Sequence, residues 1–133
     1  MKYLLDTNAC IFLMKNQIPI VEHYKKNKHL GVVISAITAA ELFFGVYNSS
    51  NLEKNSTNLA NFLIGLGVLK FDDSAAMEYG RIRAILKKQG KLIGQLDMLI
   101  AAHAKSRGLI VVTNNVKKFS RIAGLVLEDW TCL

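Results

Sequence analysis

The chain alternates short apolar runs with longer segments in which apolar residues recur at helical spacing. Short runs rich in branched side chains are typical of strands that are buried on both faces. Such strands are predicted at residues 3–5, 32–34, 68–71 and 109–112, with a fifth short strand at 125–127. Helices are predicted at residues 9–15, 19–27, 52–66 and 95–107, and residues 116–122 form either a helical turn or an irregular segment.

Polar residues and glycines predict the ends of the remaining helices. Either Ser35 or Thr38 caps a helix that follows the second strand, and either Asp72 or Asp73 caps a long helix that stops at Gly90. Strands that alternate with helices need crossover connections, which favour parallel pairing. The pattern therefore predicts an α/β fold with a mainly parallel sheet of four to five strands flanked by helices.

The composition indicates a folded domain. The 133 residues are 51% hydrophobic and include one proline, which fits a single domain, residues 1–133, with a substantial core. No apolar run approaches the roughly 18 residues that cross a bilayer, and Asp6 interrupts the apolar start that a signal peptide needs. We therefore expect a cytoplasmic protein that does not bind a membrane. Cys10 and Cys132 suggest neither a zinc site nor a disulfide framework, and both are expected to be buried or partly buried.

The net charge of +7 is concentrated in three basic clusters. A basic surface attracts polyanions such as nucleic acid, whereas any single cluster is usually just an ordinary solvated face. Three clusters against ten acidic residues favour a nucleic-acid partner. The clusters are Lys25, Lys26 and Lys28; Arg81, Arg83, Lys87, Lys88 and Lys91; and Lys105, Arg107, Lys117, Lys118 and Arg121.

Asp6 directly follows the first predicted strand. In open α/β sheets, ligands bind just beyond the carboxyl ends of the strands, so this carboxylate lies where such proteins place their chemistry. The alternative is purely structural, with Asp6 starting a turn and Asn8 capping the next helix.

Two further acids fall on apolar helix faces. Asp97 shares a face with small apolar residues, and a carboxylate in such a place is costly unless something compensates its charge. Lys105 and His103 lie well off that face, so a dyad with His103 is not expected and His103 is predicted to be a core or surface residue. Glu41 also has apolar neighbours, but Thr38 and Glu41 have the spacing of a capping box, which would explain the glutamate structurally.

These three carboxylates can converge at one end of the sheet and bind Mg²⁺ or Mn²⁺, which prefer oxygen ligands. Such an ion would allow metal-assisted cleavage of a phosphodiester. Asn115, beyond the fourth strand, is a neutral oxygen donor for the same region. The residues predicted to orient ligands or bound water are Thr7, Asn8, Thr113 and Asn114.

Four segments in this order resemble the motifs of the PIN-domain ribonucleases, and their spacing is most similar to VapC, the toxin of bacterial VapBC toxin–antitoxin pairs. The segments are Leu4-Leu5-Asp6-Thr7-Asn8, residues 35–42, residues 94–104 and Val112-Thr113-Asn114-Asn115. The ending, residues 119–130, is similar as well. The resemblance therefore spans essentially the whole chain.

The resemblance implies a PIN-like three-layer sandwich and a Mg²⁺- or Mn²⁺-dependent endoribonuclease, with Asp6, Glu41 and Asp97 as metal-binding acids. Asn115 stands where the family often has a fourth acid, a departure that puts a second tightly bound metal in doubt. The expected partners are an RNA substrate such as a tRNA or a structured loop, a second copy of the chain, and an antitoxin whose tail covers the active site. Operator DNA would be bound only through the antitoxin.

Three alternatives remain at this point. A receiver-type phosphorylation domain could use Asp72 as phosphoacceptor, although it would need paired acids after the first strand and a lysine after the last core strand. A non-catalytic RNA-binding module would use the basic clusters only, and an acidic pocket without metal would repel RNA. A PIN-type nuclease that processes RNA without an antitoxin is the third. Trp130 and Phe44 are predicted to pack in the core, with an interface as the other possibility.

Overall fold

The computed structural model describes residues 1–132. Five strands form one sheet in the order β3-β2-β1-β4-β5, and each neighbouring pair is parallel. The predicted α/β architecture with a parallel sheet is confirmed. The strands are β1 (Tyr3–Leu5), β2 (Val32–Ser35), β3 (Gly67–Leu69), β4 (Ile110–Val112) and β5 (Leu127–Glu128).

Helices connect the strands and cover both faces of the sheet. The N-terminal half contains α1 (Thr7–Met14), α2 (Ile18–Asn27), a 3₁₀ segment (Lys28–Leu30), α3 (Ala36–Tyr47) and α4 (Leu52–Ile64). The C-terminal half contains α5 (Asp73–Lys88), α6 (Gln95–Arg107) and the short α7 (Val116–Phe119). The helical turn predicted after the fourth strand is therefore present.

The strands are buried on both faces because successive side chains point to opposite sides of the sheet. In β1, Tyr3 and Leu5 pack into a core that includes Trp130, whereas Leu4 packs on the other face with Ile100 of α6. Each face therefore has its own apolar layer, which explains why the strand segments are nearly continuous apolar runs rather than alternating ones.

Several predicted boundaries differ from the structure. The first helix begins at Thr7, not at residue 9, because Asp6 rather than Asn8 accepts the capping hydrogen bond from the Ala9 N–H. The third strand ends at Leu69, before Lys70 and Phe71. The fifth strand is Leu127–Glu128 rather than residues 125–127. A strand ends where its hydrogen bonds to the neighbouring strand end, and a single sequence does not show which strands are neighbours.

The C-terminal segment packs against the beginning of the chain. Trp130 is buried, contacts Tyr3 edge-on and donates a hydrogen bond from Nε1 to Glu128. Its predicted core role is confirmed. The prediction for Phe44 is wrong, because its side chain is 68% exposed on the outer face of α3. Cys10 is buried as expected, but Cys132 is exposed.

The strand order reverses around β1, since the chain moves outward through β2 and β3 and then returns to place β4 on the other side of β1. The carboxyl ends of β1 and β4 therefore flank the switch point, where open α/β sheets bind their ligands. Among residues 1–132, no helix is both long enough and apolar enough to cross a membrane.

Candidate active site

Asp6 lies immediately after β1 and is almost completely buried, with 4% of its surface exposed. One carboxylate oxygen accepts a hydrogen bond from the Ala9 N–H at 2.8 Å. Burial raises the pKa of Asp6 above its ordinary value, and hydrogen bonds from the Thr113 side chain and the Ala9 backbone partly oppose this increase. Asp6 is thus both the cap of α1 and a buried carboxylate at the switch point.

Glu41 lies in the middle of α3, and its Oε1 accepts a 2.6 Å hydrogen bond from the Thr7 hydroxyl. The capping-box interpretation is wrong. Ser35 is the N-cap of α3 and accepts from the Ile37 N–H at 3.1 Å. Thr38 therefore already lies inside the helix, and its backbone N–H is not an N-cap group that a glutamate side chain would accept from. Glu41 is therefore turned towards the first residue of α1.

Asp97 lies in the first turn of α6 and is partly buried. Its Oδ2 accepts a 2.9 Å hydrogen bond from Nζ of Lys118, which also makes this pair a salt bridge. The same oxygen lies over Gly94, where a Cβ atom would be only 3.2 Å away. The compensating cation is thus Lys118, whereas Lys105 bonds the carbonyl oxygen of Ala123 at 2.6 Å.

The three acids share one region of the fold. The negative charges of Asp97 and Glu41 both act on Asp6 and raise its pKa further. Within residues 1–132, however, no group of three His, Cys, Asp or Glu side chains is arranged closely enough to hold a metal ion. Asp97 instead bonds Lys118, and Glu41 bonds Thr7. The acids are therefore neighbours, but their oxygens do not surround a common point.

Asn115 caps α7 and does not add a charge to this region. Its Oδ1 accepts from the Lys118 N–H at 3.3 Å, and its own N–H donates to the Thr113 hydroxyl at 2.9 Å. The side-chain oxygen predicted as a metal ligand is therefore used by the backbone of the next helix.

The donor set suits a hard divalent cation. Carboxylate oxygens are the preferred ligands of Mg²⁺ and Mn²⁺, and the pKa of Asp6 is raised by its burial and, to a smaller extent, by two acidic neighbours. A bound cation would remove the repulsion among the three carboxylates. The chemistry of the donors thus fits such an ion, although the side chains of the described residues are not drawn together around one position. Asp97 would be shared between the ion and Lys118.

The contacts of two residues near the site were not predicted from the sequence. Lys118 was noted only as a member of a basic cluster, because no local pattern pairs it with an acid 21 residues earlier. His103 is completely buried, as one of the two expectations for it stated, and its Nδ1 lies 2.7 Å from the Ser35 hydroxyl oxygen. This contact joins the helix that carries Asp97 to the cap of the helix that carries Glu41.

Part of the predicted basic surface is occupied by local interactions. Arg81 pairs with Glu78, and Arg121 donates to the carbonyl oxygen of Leu92 at 3.1 Å. Lys105 bonds the carbonyl oxygen of Ala123, and Lys118 bonds Asp97. The third cluster is therefore partly structural rather than a continuous free patch.

A groove of about 800 Å³ runs between α1, α3 and α4 beside the acids. Thr7 and Glu41 are among the residues that line it, together with apolar side chains such as Met14 and Phe62. Any segment seated in this groove would contact the Thr7–Glu41 pair.

Comparison with models of known protein families identifies the family to which this fold belongs. The model of the PIN domain matches residues 3–125. The tRNA(fMet)-specific endonuclease VapC of Shigella flexneri is 43% identical over 132 residues, which cover 98% of this chain and 99% of the relative. This chain is a PIN-domain ribonuclease of the VapC family. The family consists of RNA-cleaving toxins of VapBC toxin–antitoxin pairs, so the resemblance inferred from the four segments is confirmed.

Solved structures of the family superimpose closely on this fold. VapBC2 from Rickettsia felis, bound to a DNA fragment from its promoter, has a TM-score of 0.93 at 36% identity, covering 98% of this chain and 99% of that chain. DNA-bound VapBC from Salmonella typhimurium has a TM-score of 0.93 at 44% identity, covering 98% of both chains.

These findings exclude the receiver-type alternative, and the geometry agrees. Asp72, which that alternative needed as phosphoacceptor, is the N-cap of α5 and accepts from the Ala75 N–H at 3.0 Å. Membership among RNA-cleaving enzymes likewise argues against a module that only binds RNA.

Proposed function

We propose that this chain is a Mg²⁺- or Mn²⁺-dependent endoribonuclease toxin in which Asp6, Glu41 and Asp97 bind the ion. The observation that supports this proposal is that three acids on three different helices lie near one another at the carboxyl end of β1. Asp6 caps α1, Glu41 lies within α3 and Asp97 lies in the first turn of α6. When bound, the ion would polarise the scissile phosphate and lower the pKa of the attacking water.

The chain's own residues would prepare that chemistry. Asp6 would bind the ion from the buried side, held by the Ala9 N–H. Thr7 would orient Glu41, and Asp97 would bind the ion from a partly exposed position. Asn115 would contribute through its cap on α7, which fixes the backbone of Lys118.

We further propose that the substrate is a tRNA or a structured RNA loop. Relatives from Shigella flexneri and Salmonella typhimurium, 43% and 44% identical, are named tRNA(fMet)-specific endonucleases. The net charge of +7 supports attraction of a polyanionic substrate.

The test is the sequencing of RNA 5′ and 3′ ends after the protein is induced in a bacterial host, with Asp6→Ala as the inactive control. New ends at a few defined positions, absent from the control, are expected. With purified protein, EDTA should stop cleavage, Mg²⁺ or Mn²⁺ should restore it, and Asp97→Asn should abolish it while the far-UV spectrum stays unchanged. Cleavage that survives chelation would contradict the metal mechanism.

An antitoxin is the proposed partner of the groove beside Glu41. The solved relatives include VapBC complexes, and a segment that fills the groove between α1 and α4 would lie against Thr7 and Glu41, which line it. Operator DNA would then be bound through the antitoxin. Co-expression with the neighbouring small reading frame should suppress cleavage, and Phe62→Asp in the groove should release that suppression without abolishing RNA cleavage.

Self-association is proposed for the outer face of α3. Phe43, Phe44 and Tyr47 are exposed there by 43%, 68% and 73%, and exposed aromatic side chains in one patch are typical of an interface. Phe44→Arg should convert a dimer to a monomer in sedimentation experiments. Ile64→Arg is the matched control, since Ile64 is 84% exposed on another helix.

A further inference from the structure

Lys118 places a positive charge directly against Asp97, one of the three candidate metal-binding acids. Its Nζ is 2.9 Å from Oδ2 of Asp97, and the two side chains are 36% and 30% exposed. Within residues 1–132, it is the only cation that forms an ion pair with Asp6, Glu41 or Asp97. The site therefore contains its own ammonium group.

An ordinary surface ion pair contributes about 0–1 kcal/mol, but here the backbone that carries the lysine is fixed and space is reserved for the carboxylate. The backbone of Lys118 is fixed because its N–H donates to Asn115, whose own N–H donates to Thr113. On the other side, Oδ2 of Asp97 lies over Gly94, where even a Cβ atom would approach to 3.2 Å. The backbone of Lys118 is thus fixed by the cap of α7, and the absence of a side chain at Gly94 leaves room for the Asp97 carboxylate that the ammonium contacts.

The balance of charges gives this arrangement a chemical role. Three ionised carboxylates are neutralised by one divalent ion together with one ammonium group. Two divalent ions in addition to Lys118 would leave the centre with an excess of positive charge before any phosphate arrives. Asn115, as a neutral amide already bonded to a backbone N–H, adds no charge for a second ion.

We propose that this centre uses one divalent ion and the Lys118 ammonium, which takes the place of a second ion beside Asp97. This inference rests on the proposed metal-dependent cleavage and specifies how its charge is supplied. In the metal-free protein Lys118 neutralises Asp97. In the loaded protein it provides the positive charge that helps to stabilise the negative charge developing on the phosphate.

The binding of Mn²⁺ to metal-free protein, measured by calorimetry, tests the charge balance without relying on activity. The natural protein should bind one ion per chain. A neighbouring opposite charge changes the proton affinity of a carboxylate by a factor of about ten or more. By the same reasoning Lys118→Gln should bind its single Mn²⁺ about tenfold more tightly. Lys118→Glu, which adds a carboxylate, should bind a second ion.

RNA cleavage at saturating Mn²⁺ supplies the second measurement. Lys118→Gln should have a lower kcat although it binds metal more tightly, a combination that mere loss of a stabilising contact would not produce. Lys118→Arg should keep one ion and recover part of the rate. The control is Lys117→Gln, which removes the same charge from an exposed position of the same helix and should match the natural protein in Mn²⁺ affinity and in kcat. Because Lys117 belongs to a basic cluster, its KM for RNA is not part of the comparison.

Two ions bound by the natural protein would overturn the inference, as would Lys118→Gln behaving like Lys117→Gln. Tighter metal binding without a lower kcat, or a lower kcat without tighter binding, would also contradict it. If Lys118→Gln does not fold, judged by circular dichroism, the stoichiometry of Lys118→Glu and the rate of Lys118→Arg decide the question. If Asp97→Asn retains metal-dependent cleavage, the proposed function itself fails, whereas an inactive Asp97→Asn with an unaffected Lys118→Gln refutes only the role of the lysine.

Discussion

The hydroxyl of Thr7 lies 2.6 Å from Oε1 of Glu41, although the two residues are 34 positions apart in the sequence. Through this hydrogen bond the first residue of α1 orients an acid in the middle of α3. Each of the three candidate metal-binding acids has such a partner: the Ala9 N–H for Asp6, Thr7 for Glu41 and Lys118 for Asp97. The acids are therefore positioned by neighbours that a search for carboxylates alone would overlook.

Replacing Thr7 by valine should weaken metal binding. The side chain keeps its shape but loses the hydroxyl that holds Glu41, and loss of a group that orients a metal ligand typically lowers affinity about 10–100-fold. Calorimetry with Mn²⁺ measures the effect. Thr7→Ser retains the hydroxyl and should remain close to the natural protein. Equal affinities for Thr7→Val and Thr7→Ser would show that the hydrogen bond does not serve the site.

Replacing Asp6 by asparagine should stabilise the metal-free protein at neutral pH. Burial, followed by the charges of Asp97 and Glu41, raises the pKa of Asp6 above 3.8. Between pH 3.8 and the raised pKa, the folded protein keeps the proton on Asp6 that the unfolded chain has lost. The free energy of unfolding therefore falls as the pH rises through this range, and the whole loss of stability is present at neutral pH. Asparagine removes this cost and can still accept from the Ala9 N–H.

Thermal unfolding without metal, from pH 3 to pH 7, measures that effect. We expect a Tm a few degrees higher for Asp6→Asn at pH 7 and a difference that disappears below the ordinary pKa of aspartate. Asp73→Asn, at an exposed position in the first turn of α5, is the control. A lower Tm for Asp6→Asn at pH 7 would mean that the ionised carboxylate is stabilised in the fold.

His103 should make the protein sensitive to mild acid. Burial lowers its pKa below the ordinary 6.5, so its contribution to stability is fully present above pH 6.5 and is lost as the pH falls through the lowered pKa. Its Nδ1 contacts Ser35, and its Nε2 is a buried atom without a hydrogen-bond partner in the described structure.

The replacement His103→Gln should cost about 1–3 kcal/mol at pH 7.5 through disrupted hydrogen bonding and should reduce the loss of stability between pH 7.5 and pH 5. Urea unfolding at the two pH values measures both quantities. His29→Gln, at an exposed position, should change neither. If His103→Gln loses as much stability between pH 7.5 and pH 5 as the natural protein does, the acid sensitivity comes from another group.

Replacing Asn115 by aspartate should strengthen metal binding. Aspartate caps a helix as well as asparagine does, so α7 should persist while a negative charge is added next to the acids. The Mn²⁺ affinity should rise, and Asn114→Asp serves as the control because residue 114 is exposed and adds the same charge. Unchanged affinity in calorimetry would place the Asn115 side chain outside the reach of the ion.

The sequence by itself determined the strands, the main helices and the identity of the family. The apolar runs ending at Leu5 and Val112 predicted parallel strands, because only strands buried on both faces need such uninterrupted runs. The position of Asp6 after the first strand and of Asp97 on an apolar helix face identified candidate acids, since a carboxylate in either environment has an energetic cost that function can explain.

Only the tertiary structure decided how those acids are held. The pairing of Asp97 with Lys118, of Glu41 with Thr7 and of Ser35 with His103 joins residues between 21 and 68 positions apart. Helical periodicity gives the face on which a residue lies but not which neighbouring element that face meets. Crossover connections bring distant strand ends to one edge of the sheet, so these contacts arise from the topology rather than from local sequence.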